Sequence, residues 1–330
     1  MSPATHAVVP DSRNADILVG RRDGVTREFS LVHRDQAVVS VFDSCFLLGD
    51  GCWEGIRIKQ GVMQFAKDHI DRLFETAKAL FMNLQLTKRE LLELVHRTID
   101  ANDMQTSDDV HVRLVVSRGL KDTPHQNPRA TIGAPLIIII PEFKKSDPTV
   151  GQNGIRLMTV HVRRGPPDVK DENWNHTSKA TDVIACIQAN VMGADEALML
   201  DHNGFVKTCN STNFFIVRDG KVLAPTPQNQ MRGITRQKTI DLCRANGIPV
   251  EECDFTLTTV YGADEAFCTG TFPSQIPVVE VDGRTIGDGK PGPMVAELQR
   301  LYAELVKSDI ARGREAVLRE VGGSRTVVFP

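Results

Sequence analysis

DEALMLDHNGFVKTCNSTNFFIVRDGKVLAPTPQNQMRGITR, running from Asp195 to Arg236, is the stretch whose reading decides the fold. EALMLD is an apolar run ending in a carboxylate just before Asn203-Gly204, which reads as a strand entering a hairpin. FFIVRDGKVLAP holds a second hairpin, with Asp219-Gly220 as a type I′ turn between alternating apolar strands. MRGITRQKTIDLCRANG then passes from a glycine loop into a helix that Gly247 closes. A helix opened by Gly233-Ile234-Thr235 offers free backbone N–H groups, the positive end of the dipole and one hydroxyl, a set that suits a phosphate. The same residues also make an ordinary helix cap, and the local text leaves both readings open.

Outward from this stretch the chain stays mixed. In the first half, AVVSVFDSCF at 37–46 alternates apolar and small polar residues and predicts a strand. A helix is expected from about Lys67 to Met82, with Ile70, Leu73, Phe74, Ala77 and Leu80 at helical spacing. A second helix starts at Thr87, where Glu90 three residues on completes a capping box. VHVRLVVSRG and LIIII (136–140) read as strands, and 142–154 has the composition of a linker. The domains are therefore expected to be 1–145 and 146–330. In the second half, IRLMTVHVRR is an alternating strand, KATDVIACIQANVMG a helix ended by Gly193, and DEAFCTGT another strand. A turn at Asp282-Gly283 and a helix from about Gly292 to Glu304 follow, while the text beyond Val306 predicts no element. Without regular βαβ alternation the fold class is α+β.

Composition narrows the function. The 330 residues are 41% hydrophobic and 25% charged with a net charge of −3, which suits a globular chain of one large or two ordinary domains. That balance gives no reason to expect nucleic acid or an anionic membrane as a partner. The longest apolar run is far too short to span a bilayer, and the N-terminal text lacks the pattern of a signal peptide. Seven scattered cysteines without C-x-x-C predict reduced thiols in a cytoplasmic protein, and no zinc spacing or dinucleotide motif occurs, so no metal is expected.

Seven motifs in order carry a resemblance: GCWEGIR (51–57), HIDRLF (69–74), SRG (117–119), SKATDVI (178–184), GFVKTCNSTNFFIV (204–217), GITR (233–236) and ADEAFCTGT (263–271). Together they resemble the class IV, fold type IV, pyridoxal-phosphate enzymes. That family includes branched-chain and D-amino-acid aminotransferases, (R)-selective amine transaminases and aminodeoxychorismate lyase. The resemblance implies a two-domain α+β fold of the D-amino-acid aminotransferase kind. It also implies a homodimer with an active site between the domains, and ping-pong transfer from an amine or amino acid to a 2-oxo acid. By motif position, Lys179 is the Schiff-base lysine, with Lys170 in PPDVKDENW as its rival. Arg72 grips the cofactor phosphate, and Gly233, Ile234, Thr235 and Thr271 complete its cup. Trp53 forms an aromatic wall, Phe272 joins the substrate side, and either Arg113 or Arg118 binds a carboxylate while the other makes a structural salt bridge.

Four departures are visible. Lys179 to Gly193 spans 193 − 179 = 14 positions, about one helical turn fewer than the family has. Thr208 stands where the family places a glutamate facing the pyridine nitrogen, with Glu196 and Asp201 as nearby carboxylates to replace it. Leu48 and Ile184 occupy the places of branched-chain tyrosines, and Pro273 lacks the backbone N–H that would help bind a substrate carboxylate. The last two favour an (R)-amine transaminase-like reading over a branched-chain or D-amino-acid aminotransferase. The first keeps Lys170 as the rival lysine, and the second keeps a non-catalytic cofactor-binding relative in view.

Overall fold

Alternating apolar residues build the first of two units in the computed structural model, which describes residues 8–272 and 274–322. This unit comprises Pro10–Lys145, Trp174–Lys179 and the chain from Lys307 onward. Its strands are β1 (Leu18–Arg22), β2 (Phe29–His33), β3 (Gly51–Lys59), β4 (Val62–Met63), β5 (Val110–Ser117) and β6 (Leu136–Phe143). They form an antiparallel sheet in the order β2-β1-β6-β5-β3-β4. Val110, Val112, Leu114 and Val116 of β5 point with Ile137 and Ile139 of β6 toward two helices, α1 (Ala66–Ala79) and α2 (Lys88–Asp100). Ile70, Leu73, Leu91, Leu92, Val95 and Ile99 complete that core, and burying each such side chain stabilises by about 1.5–3 kcal/mol. The capping box forms as expected: Glu90 N donates to Thr87 Oγ1 (3.1 Å) and Thr87 N to Glu90 Oε2 (2.5 Å).

Two features differ from the sequence expectation. Residues 37–46 form no long strand. The Asp43 carboxylate accepts from Cys45 N (2.8 Å) and caps a short helix, Ser44–Leu48, while Val38 (74%) and Val41 (62%) stay exposed. Alternation makes a strand only where a neighbouring strand buries one face, and among the described residues this segment meets only the two-residue strand Leu120–Lys121, through a single bridge from Asp43 to Leu120. The tail beyond Val306 does have a place. Helix Gly313–Val321 adds Val317, Leu318 and Val321 to the core, and Arg314 donates to Gly61 O (2.7 Å) and Asp100 (2.9 Å).

The second unit, Ser146–Asn173 with Ala180–Val306, is a closed sheet with helices outside it. Its elements are β7 (Ile155–Arg164), α3 (Ala180–Val191), β8 (Glu196–Asp201), β9 (Val206–Cys209), β10 (Asn213–Arg218), β11 (Lys221–Ala224), α4 (Ile234–Ala245), β12 (Val250–Glu252), β13 (Glu265–Gly270), β14 (Ser274–Val281) and α5 (Pro293–Ala311). The ring runs β9-β8-β7-β14-β13-β10 and returns to β9, with β11 and β12 extending from β10. Asp219 (φ 51°) and Gly220 (φ 72°) both take the left-handed conformation that the type I′ turn demands. Leu198, Cys209, Phe214, Ile216, Cys268 and Ile276 share the interior core, whereas Phe215, Val217 and Phe267 pack outward against Ile240, Cys243, Val295 and Leu298. No described helix is long and apolar enough to cross a membrane.

Candidate active site

The first unit brings Trp53, Arg113 and Lys179 together. In the register of β3 and β5, Gly55 faces Arg113 and Trp53 faces Val115, so the arginine lies diagonal to the indole. A side chain at Gly55 would start 3.3 Å from the Trp53 ring; glycine keeps that approach open. The Arg113 Cζ sits 3.8 Å from the Trp53 ring centroid and the Lys179 Nζ 5.5 Å from it. Both cations therefore lie against the Trp53 ring, an arrangement favoured by its quadrupole. The segment 174–179 reaches this place by pairing with the start of β3. Trp53 N donates to Asn175 O (2.9 Å), Thr177 N to Gly51 O (2.9 Å) and Trp53 Nε1 to His176 O (3.2 Å).

Asn175, four positions before Lys179, was not singled out by the sequence. It is 2% exposed, its Nδ2 donates to Trp53 O (2.5 Å), and its Oδ1 has no partner among the described residues. The one-turn shortfall between Lys179 and Gly193 was the available signal, since a helical turn upstream of Lys179 falls on this residue.

Glu54 follows Trp53 on β3 and so faces the opposite side, toward α1. It is fully buried and accepts from Arg72 Nε (2.8 Å) and Nη2 (2.6 Å), with His69 Nδ1 2.7 Å away. Burial alone would raise its pKa; the Arg72 guanidinium and the His69 contact overcome that and hold it at about 2. Arg72 is thus clasped bidentately by a buried carboxylate, on the sheet face opposite Trp53. The signal for this pair was the charged residue inside the apolar run of GCWEGIR.

Arg118 is committed elsewhere. Its Nε and Nη2 bind Asp50 (2.5 and 3.0 Å), and Nη2 also donates to Leu80 O (2.8 Å) at the end of α1. This guanidinium ties the end of β5 to the end of α1, so the structure places Arg118 in the salt bridge and leaves the exposed Arg113 beside Trp53. Lys170, in the second unit, sits 3.4 Å from Glu172, which also pairs with Arg164 (3.1 Å).

In the second unit the start of α4 forms a separate constellation. The N-cap Gly233 supplies no side-chain bond to the first turn, yet Ile234 is 9% and Thr235 3% exposed. A buried helix end without a cap leaves N–H donors for an anion. A Cβ at Gly233 would come 2.0 Å from Asn213 Oδ1, so only glycine allows the approach to β10. Thr269, opposite Asn213 in the register, has a buried Oγ1 without a partner among the described residues. These donors fit the phosphate of pyridoxal phosphate. Thr271 is half-buried and Phe272 buried at the end of β13, whereas Pro273 lies outside the described residues.

Thr208 pairs with Asn213 and shares its face. Its Oγ1 donates to Thr212 O (2.7 Å), which leaves only lone pairs for another group. Neither neighbouring carboxylate takes the place of a glutamate here. Glu196 lies two residues from Leu198, which is paired with Cys209 and turned inward, so Glu196 faces the interior of the closed sheet. Asp201 is held by Asn203 N (2.9 Å), Phe205 N (3.0 Å) and Lys207 Nζ (3.5 Å).

The family model described as amino-transferase class IV matches residues 51–281. The chain is 41% identical over 277 residues to a putative branched-chain-amino-acid aminotransferase of Methanocaldococcus jannaschii, covering 83% of this chain and 93% of that protein. It is 37% identical over 299 residues to branched-chain-amino-acid aminotransferase-like protein 2 of Arabidopsis thaliana. That match covers 90% of this chain but 52% of the relative, so the chain spans about half that protein's length. Among solved structures, a T.th. branched-chain amino acid aminotransferase crystallised with pyridoxamine 5'-phosphate aligns at a TM-score of 0.80 and 27% identity, covering 91% of this chain and 96% of that one.

Proposed function

The chain belongs to the class IV aminotransferases, pyridoxal-phosphate enzymes of fold type IV, and we propose that it moves an amino group from an amine or amino acid with an apolar substituent to a 2-oxo acid such as pyruvate. The observation that carries this reading is the placing of Lys179 and Arg113 beside the Trp53 ring, at 5.5 and 3.8 Å from its centroid. Arg113 binds the 2-oxo acid carboxylate with a planar fork of donors. Trp53 offers an apolar wall to the substituent. Lys179, neutral when deprotonated, takes and returns the proton at the donor carbon. The uncapped start of α4, with Thr235 and Thr271, holds the cofactor phosphate. Bound pyridoxal phosphate supplies the electron sink for loss of that proton. Thr208 gives the ring nitrogen a neutral acceptor where a carboxylate would give a charged one.

Exposed Val38, Val41 and Phe46 in one unit, and Val183, Ile187 and Val191 in the other, fit burial by a second copy of the chain. Seven unbridged cysteines fit a cytoplasmic setting. Leu48 and Ile184 bring no hydroxyl to the substrate side, which favours an (R)-amine donor. The printed name of the M. jannaschii relative favours the alternative, a branched-chain donor. Asn175 and Thr208 favour a third reading, a relative that binds the cofactor without catalysis.

A donor panel with pyruvate separates the three. Simple amines should serve at least as well as L-valine or L-leucine; L-branched-chain donors ahead by about tenfold or more would restore the branched-chain reading. A coloured protein inactive with every donor would establish the non-catalytic one. Lys179→Ala should lose both the visible absorbance of the loaded protein and transamination, and Lys170→Ala neither; the reverse result would transfer the lysine role.

A further inference from the structure

We propose that Glu196, Cys209 and Cys268 form a binding site for one thiophilic divalent cation, of which zinc is the type, inside the closed sheet of the second unit. The residues come from β8, β9 and β13 and are 2%, 1% and 0% exposed. The two sulfurs lie 3.5 Å apart, and one ligand atom from each of the three residues falls within 4.8 Å of the others. The carboxylate supplies an independent sign. Its Oε1 is saturated by Ser211 N (2.9 Å), Ser211 Oγ (2.7 Å) and Thr212 Oγ1 (3.0 Å), whereas Oε2 is buried and has no hydrogen-bond partner among the described residues. A buried carboxylate oxygen without a donor is costly, and a cation beside it removes that cost.

The geometry suits a tetrahedral ion. Zinc–sulfur bonds of about 2.3 Å set two sulfurs about 3.8 Å apart, so the thiols need to open by only a few tenths of an ångström while Glu196 swings inward. Two thiolates and one carboxylate favour zinc over magnesium or calcium. Binding releases the two thiol protons to solvent, because each sulfur coordinates as a thiolate. A disulfide fits less well. Strands β9 and β13 flank β10 on opposite edges, and a bond that wants Cα atoms about 4.4–6.8 Å apart would pinch two strands across a third. The ion would instead staple three strands at the seam where the sheet closes, one residue from Thr208.

The test uses the full-length, cofactor-loaded protein, stripped of metal and titrated with Co²⁺ and then Zn²⁺. The expected result is one ion per chain, thiolate-to-cobalt charge transfer, tetrahedral d–d bands and displacement by zinc. Cys209→Ser, Cys268→Ser and Glu196→Gln should each weaken binding by about tenfold or more. The wild-type spectrum answers the question even where a variant fails to fold. No stoichiometric binding, a cobalt spectrum without thiolate bands, binding unchanged in the folded variants, or a Cys209–Cys268 disulfide in the metal-free protein would each overturn the proposal.

Discussion

Replacing Arg72 with leucine should destabilise the protein even when no cofactor is bound. Glu54 is fully buried and held by two Arg72 nitrogens at 2.8 and 2.6 Å. Its pKa falls from 4.5 to about 2, and a drop of that size corresponds to about 3 kcal/mol of folding free energy. Because the folded pKa lies below the unfolded one, this contribution is complete above about pH 4.5 and is lost as pH falls through about 2. Removing Arg72 leaves a buried charge without its main partner, and breaking such a pair costs about 3–5 kcal/mol. The sign of the pH dependence should also reverse. With only the His69 contact left to oppose burial, the Glu54 pKa moves up, and once above 4.5 it lets the variant gain stability as pH is lowered from neutrality toward 5. The assay is urea unfolding of cofactor-free wild type, Arg72→Leu, Glu54→Gln and the double variant, at pH 7 and pH 5. The double variant should recover much of the loss, since no buried charge remains. If cofactor-free Arg72→Leu unfolds within about 0.5 kcal/mol of wild type at both pH values, and only the loaded protein is weakened, the clasp on Glu54 is incidental and Arg72 serves the phosphate alone.

Arg113→Ala should raise KM for the 2-oxo acid and leave the unfolding midpoint unchanged, whereas Arg118→Ala should lower stability by about 1.5–3 kcal/mol by freeing Asp50 and the Leu80 carbonyl. Steady-state kinetics beside urea curves read both, and a KM effect confined to Arg118→Ala would reverse the roles. Thr208→Glu should hold cofactor better through dialysis and speed single-turnover proton removal, because a charged hydrogen bond of about 1.5–3 kcal/mol replaces a neutral one of about 0.5–1.5. A wild type that keeps its cofactor with a fully protonated, labelled ring nitrogen would show that another acid serves the ring. Lys207→Met should destabilise the second unit by about 3–5 kcal/mol, since the buried ammonium, 1% exposed, binds Asp254 (2.5 Å) and Thr226 (2.8 Å) and lies 3.5 Å from Asp201. An unchanged urea midpoint would mean that solvent compensates both carboxylates.

Much of this protein was legible in its sequence wherever the governing interaction is local. Asp219-Gly220 specified a turn because few residues tolerate positive φ, and Thr87 with Glu90 specified a helix start because the two side chains satisfy each other's backbone. The glycine before Ile234 marked a helix start without a side-chain cap for the same reason. Ordered motifs then identified the family and hence the cofactor.

Tertiary structure decided what depends on distant partners. The motifs left Arg113 and Arg118 as alternatives, and only Asp50, 68 residues from Arg118, and the end of α1 decided which one is tied down. Residues 37–46 carry a strand pattern and form no long strand, because the one described strand beside them, Leu120–Lys121, is two residues long and leaves Val38 and Val41 exposed. Glu196 faces the interior of the closed sheet because its neighbour Leu198 pairs inward with Cys209, a register that no single residue carries. Turns and caps follow from forces within a few bonds, whereas register and burial are sums over many weak contacts between remote segments. A residue's local preference therefore sets its backbone, and the packed whole sets what its side chain meets.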